Sequence, residues 1–262
     1  MDKIGLSTLT TKMRRNLRRV IKYPILSGFL LIGLLIAVTT AVATGVNRRR
    51  LIAQYWFRTL LIILNVKLEI KGLSEQADEC FIVSNHISWL DIPVISACLP
   101  VCFLSKSEVR QWPLIGALAR FVGTIFIFRA SRRSIKKVNQ NIEESLINRQ
   151  PVCVFPEGTT TLGDRLGAFH SSIFHPAVKN GSKVLPVALR YLDETRKPTT
   201  APAYIGSMTL MSSLDRIITE PIISVEVSFL TPIESRASER RHISKLSREM
   251  ILNTLFKRSE SS

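Results

Sequence analysis

The residues best suited to catalysis are a histidine and an aspartate, His86 and Asp91, in the stretch Ser84–Asp91. The stretch follows a short apolar run, residues 80–83, which is typical of a buried strand. Ligands usually bind at strand ends in α/β sheets. Histidine titrates close to neutrality, and a carboxylate bonded to one ring nitrogen would leave the other free to accept a proton. The pattern predicts a general base with an orienting carboxylate; the alternative is that Asn85 caps a helix beside a buried histidine.

Two basic residues follow other apolar runs. Lys106 comes after residues 101–104 and could hold an anion, although a lone lysine is usually only solvated. Arg129 closes the apolar run 124–128, which Gly123 opens. An arginine at a strand end can bind a phosphate or a carboxylate with two parallel hydrogen bonds. Both residues are therefore candidate anion ligands.

A glutamate stands at the end of a further apolar run, residues 152–155. The run leads directly into Pro156, Glu157 and Gly158, and a proline and a glycine around one residue favour a sharp turn. We therefore expect the Glu157 carboxylate to be exposed at this turn, where it could accept hydrogen bonds from a ligand.

Taken in order, these motifs resemble the four-block signature of the glycerolipid (lysophospholipid, PlsC-type) acyltransferase family. Four ordered blocks over residues 66–190 are a specific pattern. They are N-H-x-x-x-x-D at Asn85–Asp91, G-x-x-F-I-x-R at Gly123–Arg129, F-P-E-G-T at Phe155–Thr159, and a strand ending near a proline at Val184–Val187.

The resemblance implies an enzyme that moves a fatty acyl group from a thioester of CoA or acyl carrier protein to the free hydroxyl of a lysolipid. The first expectation is 1-acyl-sn-glycerol-3-phosphate as acceptor, with phosphatidic acid as product. His86 would be the general base and Asp91 would orient it. Neither a metal nor a cofactor is expected, because the thioester is already activated. The residues implied in substrate binding are Asn85, Lys106, Arg129, Glu157, Gly158 and Thr159.

One residue departs from the family pattern. The branch that makes phosphatidic acid usually continues block three with an arginine, and this chain has Thr160 instead. Losing one charge-assisted contact should weaken binding of a phosphomonoester by roughly 1.5–3 kcal/mol. Lyso-ornithine lipid or another lysolipid is therefore the alternative acceptor. A membrane-anchored, non-catalytic lipid-binding protein is the alternative from another class; a G-x-S-x-G elbow and a P-loop motif are absent from the sequence.

The charge pattern indicates a lipid partner. Lys and Arg total 36 against 20 Asp and Glu, a formal net charge of +16. Basic residues crowd both ends of the uncharged segment 23–47, which suits anionic lipid headgroups better than a nucleic acid. Residues 25–46 are long enough to cross the hydrocarbon core, whereas residues 51–66 contain Gln54 and Arg58. We expect a helical hairpin that enters one leaflet from the cytoplasmic face of the inner (plasma) membrane, with a single span as the alternative.

The rest of the chain predicts an α/β fold, a single mixed sheet flanked by helices. We expect residues 1–65 to form the membrane-associated part and residues 66–262 the catalytic domain. Residues 193–220 are rich in proline and threonine and predict a long loop or insertion. The four cysteines form no C-x-x-C pair and are expected to be buried thiols. Predicted strands cover residues 66–70, 81–83, 101–104, 124–128, 152–155, 184–189 and 225–229; predicted helices cover residues 134–148 and 238–258.

Overall fold

The computed structural model describes residues 3–40, 43–73, 77, 79–112, 114–127 and 132–256, with the backbone alone for 3–11, 106 and 132–135. Within those residues the chain forms eight α-helices and seven strands. The helices are α1 (Lys3–Thr40), α2 (Val46–Leu64), α3 (Asp91–Cys98), α4 (Ile115–Phe121), α5 (Arg132–Ile147), α6 (His175–Asn180), α7 (Leu210–Thr219) and α8 (Arg240–Phe256). The strands are β1 (Val66–Lys71), β2 (Phe81–Ser84), β3 (Cys102–Lys106), β4 (Ile125–Ile127), β5 (Val152–Val154), β6 (Val184–Leu192) and β7 (Ile223–Phe229).

The strands form one mixed sheet in the order β1-β7-β6-β2-β5-β3-β4, as far as the described residues extend. β6 and β7 pair antiparallel, and the other neighbouring strands pair parallel. β2 lies at the centre, and all four of its residues are buried, as a continuous apolar run in a sheet covered on both faces requires. The predicted single mixed sheet flanked by helices is confirmed.

Each face of the sheet has its own hydrophobic core. Ile82 of β2 packs into the core beneath α2, α3 and α7, while its neighbours Phe81 and Val83 pack into the core beneath α5, α6 and α8. This alternation follows from the two-residue period of a strand. The spacing that predicts α5 is also explained, because Val138, Ile142 and Leu146 are the buried stripe of that helix.

The N-terminal helices pack against each other and against the sheet domain. The ring of Phe29 on α1 stacks on Trp56 of α2, with ring centroids 3.6 Å apart. A side chain at Gly33 would place its Cβ 2.5 Å from the Trp56 ring, so the close approach of the helices requires glycine there. Leu26 of α1 and Leu61 of α2 belong to the same core as the sheet. The division of the chain at residue 65 stays a prediction.

The polar residues of the second apolar segment have partners on α3. Gln54 Nε2 donates to the carbonyl of Cys98, at 2.8 Å, and Arg58 Nε donates to the carbonyl of Ala97, also at 2.8 Å. These carbonyls end α3, where the backbone has no helical donor of its own. Gln54 and Arg58 therefore interrupt the apolar sequence of α2 because that face of the helix packs on the domain.

Two expectations from the sequence are wrong in detail. Residues 193–220 are not one long loop, because α7 occupies their second half, with the Thr209 hydroxyl accepting from Ser212 N as its N-cap. β6 does not end near Pro186 but continues to Leu192. Pro186 lies inside the strand, where it has no N–H to donate and its carbonyl accepts from Leu230 N. The four cysteine side chains are buried, and burial raises the pKa of Cys98 to about 12.

Candidate active site

His86 and Asp91 meet at the carboxyl end of β2. Asp91 begins α3, and its Oδ2 lies 2.7 Å from His86 Nδ1. The same oxygen accepts backbone N–H bonds from Ile87, at 2.7 Å, and from Ser88, at 2.9 Å. The loop between the two residues thus wraps around the carboxylate, which is fully buried. Because Asp91 is an acceptor, the neutral imidazole carries its proton on Nδ1 and has its lone pair on Nε2.

The second oxygen of Asp91 is held from the neighbouring strand. The Tyr191 hydroxyl on β6 donates to Asp91 Oδ1 at 2.8 Å. Burial raises the pKa of Tyr191 well above its ordinary value, and the adjacent carboxylate raises it further. The phenol is therefore a permanent donor at neutral pH. With both oxygens bonded, the buried carboxylate has its hydrogen-bonding capacity used inside the protein and is held in one orientation.

An aromatic side chain fixes the plane of the His86 ring. Phe155, directly after β5, stacks on His86 with centroids 3.9 Å apart and planes inclined by 11°. Phe155 is itself stacked on Phe103 of β3, at 6.2 Å. The His86 side chain retains 19% of its exposure. One ring face is thus covered while the ring remains accessible to a substrate.

The Glu157 carboxylate is buried, which corrects the expectation that it is exposed. The residue is 5% exposed. Oε1 accepts the backbone N–H of His86 at 2.8 Å, and Oε2 accepts that of Gly167 at 2.7 Å. Burial raises the pKa of Glu157, and the two backbone bonds partly oppose this effect. The turn at Gly158, with φ of +67°, sends the following loop back over the carboxylate, which a local sequence pattern does not reveal.

Asn85 bridges two strands instead of facing the open side of the site. Its Nδ2 donates to the Leu189 carbonyl at 3.0 Å, and its Oδ1 accepts from Leu189 N at 2.8 Å. The side chain is buried. This pair continues the β2–β6 ladder beyond Ser84, the last residue of β2. The amide is therefore engaged inside the protein, which is not the role expected of an acceptor ligand.

The residues after Glu157 line the loop beside His86. Thr159 is exposed, whereas Thr160 is half-buried and its hydroxyl donates to the Tyr204 carbonyl. Thr161 N donates to the His86 carbonyl at 2.9 Å, which joins this loop to the loop that contains His86. Of the residues expected to bind substrate here, Thr159 is thus the one with its side chain toward solvent.

Of the two expected anion ligands, the structure describes only the backbone of Lys106 and does not describe Arg129. Lys106 is the last residue of β3, and its backbone pairs in parallel with Ile127 of β4. β3 lies two strands from β2, a separation of about 10 Å at the usual strand spacing. Arg129 lies outside the described residues. The prediction that both bind the acceptor's anionic head stays a prediction.

Comparison with known proteins identifies the family. A family model described as Acyltransferase matches residues 65–190. A 1-acyl-sn-glycerol-3-phosphate acyltransferase of Neisseria meningitidis is 38% identical over 189 residues, covering 72% of this chain and 74% of the relative. A lyso-ornithine lipid O-acyltransferase of Pseudomonas aeruginosa is 36% identical over 208 residues, covering 79% and 80%. The chain belongs to the glycerolipid acyltransferase family.

The fold of this acyltransferase agrees with a solved structure. The crystal structure of PlsC, the 1-acyl-sn-glycerophosphate acyltransferase from Thermotoga maritima, superposes with a TM-score of 0.66, covering 95% of this chain and 100% of that one. The two sequences are 22% identical, so the likeness concerns the fold. One helix within the described residues, Lys12–Thr40, is long and apolar enough to cross a membrane, with a mean hydropathy of 2.1, which indicates membrane association.

Sequence reasoning missed several residues that support the acyltransferase site. Tyr191 lies just beyond the matched region, Gly167 lies in a loop, and Arg248 lies on α8. The one available signal was chemical, because a tyrosine in an apolar strand generally has a partner for its hydroxyl. Which partner it has depends on the sheet order, which the sequence does not state.

Proposed function

We propose that this acyltransferase moves a fatty acyl group from an acyl thioester to the free hydroxyl of a lysolipid. The observation that carries the proposal is the His86–Asp91 pair at the carboxyl end of β2. A partly exposed imidazole whose Nδ1 is bonded to a buried carboxylate is suited to remove a proton with Nε2. The non-catalytic alternative gives no reason for this arrangement.

The reaction runs through an ordinary addition and elimination. His86 Nε2 removes the proton of the acceptor hydroxyl as its oxygen forms a bond to the thioester carbonyl carbon. The resulting tetrahedral adduct collapses and breaks the carbon–sulfur bond. The departing thiolate takes the proton from the His86 imidazolium, which restores the base. Between these steps Asp91 stabilises the imidazolium. These steps need neither a metal nor a cofactor besides the acyl-CoA or acyl carrier protein that brings the acyl group.

A direct assay tests the reaction and its base. The purified protein in detergent receives acyl-CoA or acyl carrier protein thioester together with lysophosphatidic acid or lyso-ornithine lipid, and thiol release is followed. We expect turnover with one or more of these pairs and a loss of about 100-fold or more in His86→Ala. Wild-type turnover in His86→Ala would show that the base is misassigned. No thioester consumption with any lysolipid would favour the non-catalytic alternative.

The acceptor is 1-acyl-sn-glycerol-3-phosphate in the first proposal and lyso-ornithine lipid in the second. Relatives of similar identity carry each activity in their names. Thr160 favours the second acceptor, because its hydroxyl contacts the Tyr204 carbonyl and it brings no charge for a phosphate. Lys106 and Arg129 could supply that charge for the first.

A substitution at Thr160 separates the two acceptors. Both lysolipids are assayed with wild type, Thr160→Arg and the neutral control Thr160→Gln, which also loses the hydroxyl. If this position selects the head group, Thr160→Arg shifts the ratio of kcat/KM values toward lysophosphatidic acid by about 10-fold or more, and Thr160→Gln does not. Equal ratios in all three proteins would exclude a selecting role.

We further propose that α1 and α2 form a hairpin in one leaflet, with the catalytic domain at the cytoplasmic face. The outward surface of both helices is apolar and includes exposed Leu35 and Ile62. Arg19 contacts Asp215 of α7 before the apolar segment, and Arg50 Nε donates to the Val122 carbonyl after it, at 3.1 Å. The chain contacts the sheet domain on both sides of the apolar segment. A segment that begins and ends at the same domain supports a hairpin over a span.

Cysteine labelling tests this topology. Arg14→Cys and Thr44→Cys are made separately, since one lies before and the other after most of the apolar segment, and vesicles of known orientation receive a membrane-impermeant thiol reagent. The hairpin predicts that neither cysteine is labelled from the periplasmic side. Labelling of the two from opposite sides would establish a span.

A further inference from the structure

We propose that Glu157 is a positioning residue for His86, and that Arg248 on α8 holds the other end of the same hydrogen-bonded chain. This inference rests on the proposed acyl transfer. It replaces the expectation that Glu157 binds the acceptor, because both of its oxygens are bonded to backbone N–H groups inside the protein. A carboxylate that is 5% exposed has little surface for a substrate.

The first link joins Glu157 to the catalytic backbone. The His86 N–H donates to Oε1 at 2.8 Å, so this bond fixes the main chain from which the imidazole projects. The His86 carbonyl is bonded in turn by Thr161 N at 2.9 Å. The loop 157–167 is therefore hydrogen-bonded to both the N–H and the carbonyl of His86. A small shift of a catalytic group can lower the rate by about 100-fold.

The second link requires a glycine. Gly167 N donates to Glu157 Oε2 at 2.7 Å, and a Cβ on Gly167 would stand 2.8 Å from the same oxygen. Any larger residue would push the loop away from the carboxylate. The glycine is thus explained by the close approach of the loop backbone to Glu157.

The third link comes from the C-terminal helix. Arg248 Nε donates to the Gly167 carbonyl and Nη2 donates to the Leu166 carbonyl, each at 2.7 Å. The guanidinium fork holds two successive carbonyls and so fixes the peptide that presents the Gly167 N–H to Glu157. Ser244, one turn earlier on α8, donates to the Phe169 carbonyl at 3.4 Å. α8 lies beyond the matched residues 65–190, yet it supports the catalytic loop.

The two roles of Glu157 predict different kinetics. A positioning role predicts that Glu157→Gln lowers kcat by about 10- to 100-fold with every acceptor and leaves KM within about twofold. Glutamine fails because its amide nitrogen would face an N–H donor at one of the two sites. An acceptor-binding role predicts instead that KM of the acceptor rises and that the loss depends on the head group.

A double-mutant cycle tests the chain from α8 to His86. Glu157→Gln, Arg248→Ala and the double variant are compared by kcat, with Lys245→Ala, an exposed neighbour on α8, as the control for a lost charge. We expect Arg248→Ala to lose about 10-fold in kcat, the double variant to lose little more than Glu157→Gln alone, Arg248→Lys to recover part of the activity, and Lys245→Ala to match wild type. The proposal would be overturned if the fold losses in kcat of the two single variants multiplied in the double variant. A selective rise in KM of the acceptor would also overturn it.

Hydrogen exchange gives a readout that does not depend on the reaction. In Arg248→Ala, the peptides covering residues 84–91 and 161–170 should exchange faster, while peptides of β7 keep the wild-type rate. Unchanged exchange in residues 84–91 would overturn the link even if activity falls. Should the wild type acylate no lysolipid, the proposed function fails, while the exchange data still decide whether Arg248 positions His86. If Arg248→Ala does not fold, Gly167→Ala serves as the second variant in both assays.

Discussion

The Tyr191 hydroxyl donates a 2.8 Å hydrogen bond to Asp91 Oδ1, the oxygen that does not contact His86. The bond crosses from β6 to the start of α3 and spans a sequence separation of 100 residues. Both groups are buried. Asp91 therefore contacts the His86 imidazole through Oδ2 and accepts a hydrogen bond from the Tyr191 phenol at Oδ1.

Replacing this phenol should lower kcat. In Tyr191→Phe the buried Oδ1 of Asp91 loses its donor, and the carboxylate is no longer held in one orientation against His86 Nδ1. We expect kcat to fall by about 10-fold, with KM of both substrates near wild type.

The measurement is kcat and KM of wild type and Tyr191→Phe, together with the melting temperature of each in the same detergent. Tyr55→Phe, on the exposed face of α2, is the matched control and should leave all three quantities unchanged. A wild-type kcat with a lower melting temperature would mean that Tyr191 contributes only to stability.

Removing the charge of Asp91 should be more damaging than removing its neighbour. Asp91→Asn presents an amide nitrogen to at least one of the donors His86, Ile87, Ser88 and Tyr191, and it removes the charge that stabilises the imidazolium. We expect kcat to fall by about 100- to 10,000-fold, with KM for both substrates near wild type. Single-turnover assays with excess enzyme would measure the loss directly. If Asp91→Asn retains more than a tenth of the wild-type rate, Asp91 does not have the proposed role of orienting His86 and stabilising its imidazolium.

The sequence predicts the sheet and the contact of His86 with Asp91 better than it predicts the residues that support this pair. All seven strands are recognisable within the described residues, because buried strands such as β2 are continuous apolar runs, while β1 and β7 alternate apolar and polar residues. His86 and Asp91 are recognisable because their contact spans five residues. Tyr191 was missed, since its contact with Asp91 depends on β6 lying beside β2.

The burial of Glu157 could not be read from the motif. Pro156 and Gly158 correctly indicate a turn, but the carboxylate is covered by the loop that reaches Gly167 and is held there by Arg248. That arrangement depends on the docking of α8 against β6, which involves residues far apart in the chain. Local turn chemistry predicts where a chain changes direction and not what later folds over it.

Asn85 should prove to be a stability residue. Its amide makes two buried hydrogen bonds with Leu189, and Asn85→Ala leaves the N–H and the carbonyl of that residue without their partner. We expect the free energy of unfolding to fall by about 1–3 kcal/mol. KM for the acceptor should stay near wild type, because the amide does not face the substrate side. Thermal unfolding in detergent and steady-state kinetics measure the two quantities; a raised acceptor KM at unchanged stability would restore Asn85 as a ligand.

The docking of α1 on α7 should depend on pH in a definite direction. Arg19 Nε and Nη2 donate to the two oxygens of Asp215, at 2.8 and 2.7 Å, and the Tyr23 hydroxyl donates to Oδ1 at 3.1 Å. The hydrogen bond from Arg19 is the main cause that lowers the pKa of Asp215. A carboxyl whose pKa is lower in the folded chain stabilises the fold above its unfolded pKa, about 3.9, and loses this effect as the pH falls through the folded value.

Asp215→Asn should therefore lower the melting temperature at pH 7 and lower it less at pH 3.5. Thermal scans in the same detergent measure both differences. Arg19→Ala should reproduce the effect at pH 7, and the double variant should add little, because the two residues share one interaction. Glu249→Gln, in the exposed pair with Lys245 on α8, is the control and should leave the melting temperature unchanged. An equal destabilisation by Asp215→Asn at both pH values would show that the charge of Asp215 does not hold α1 on the domain.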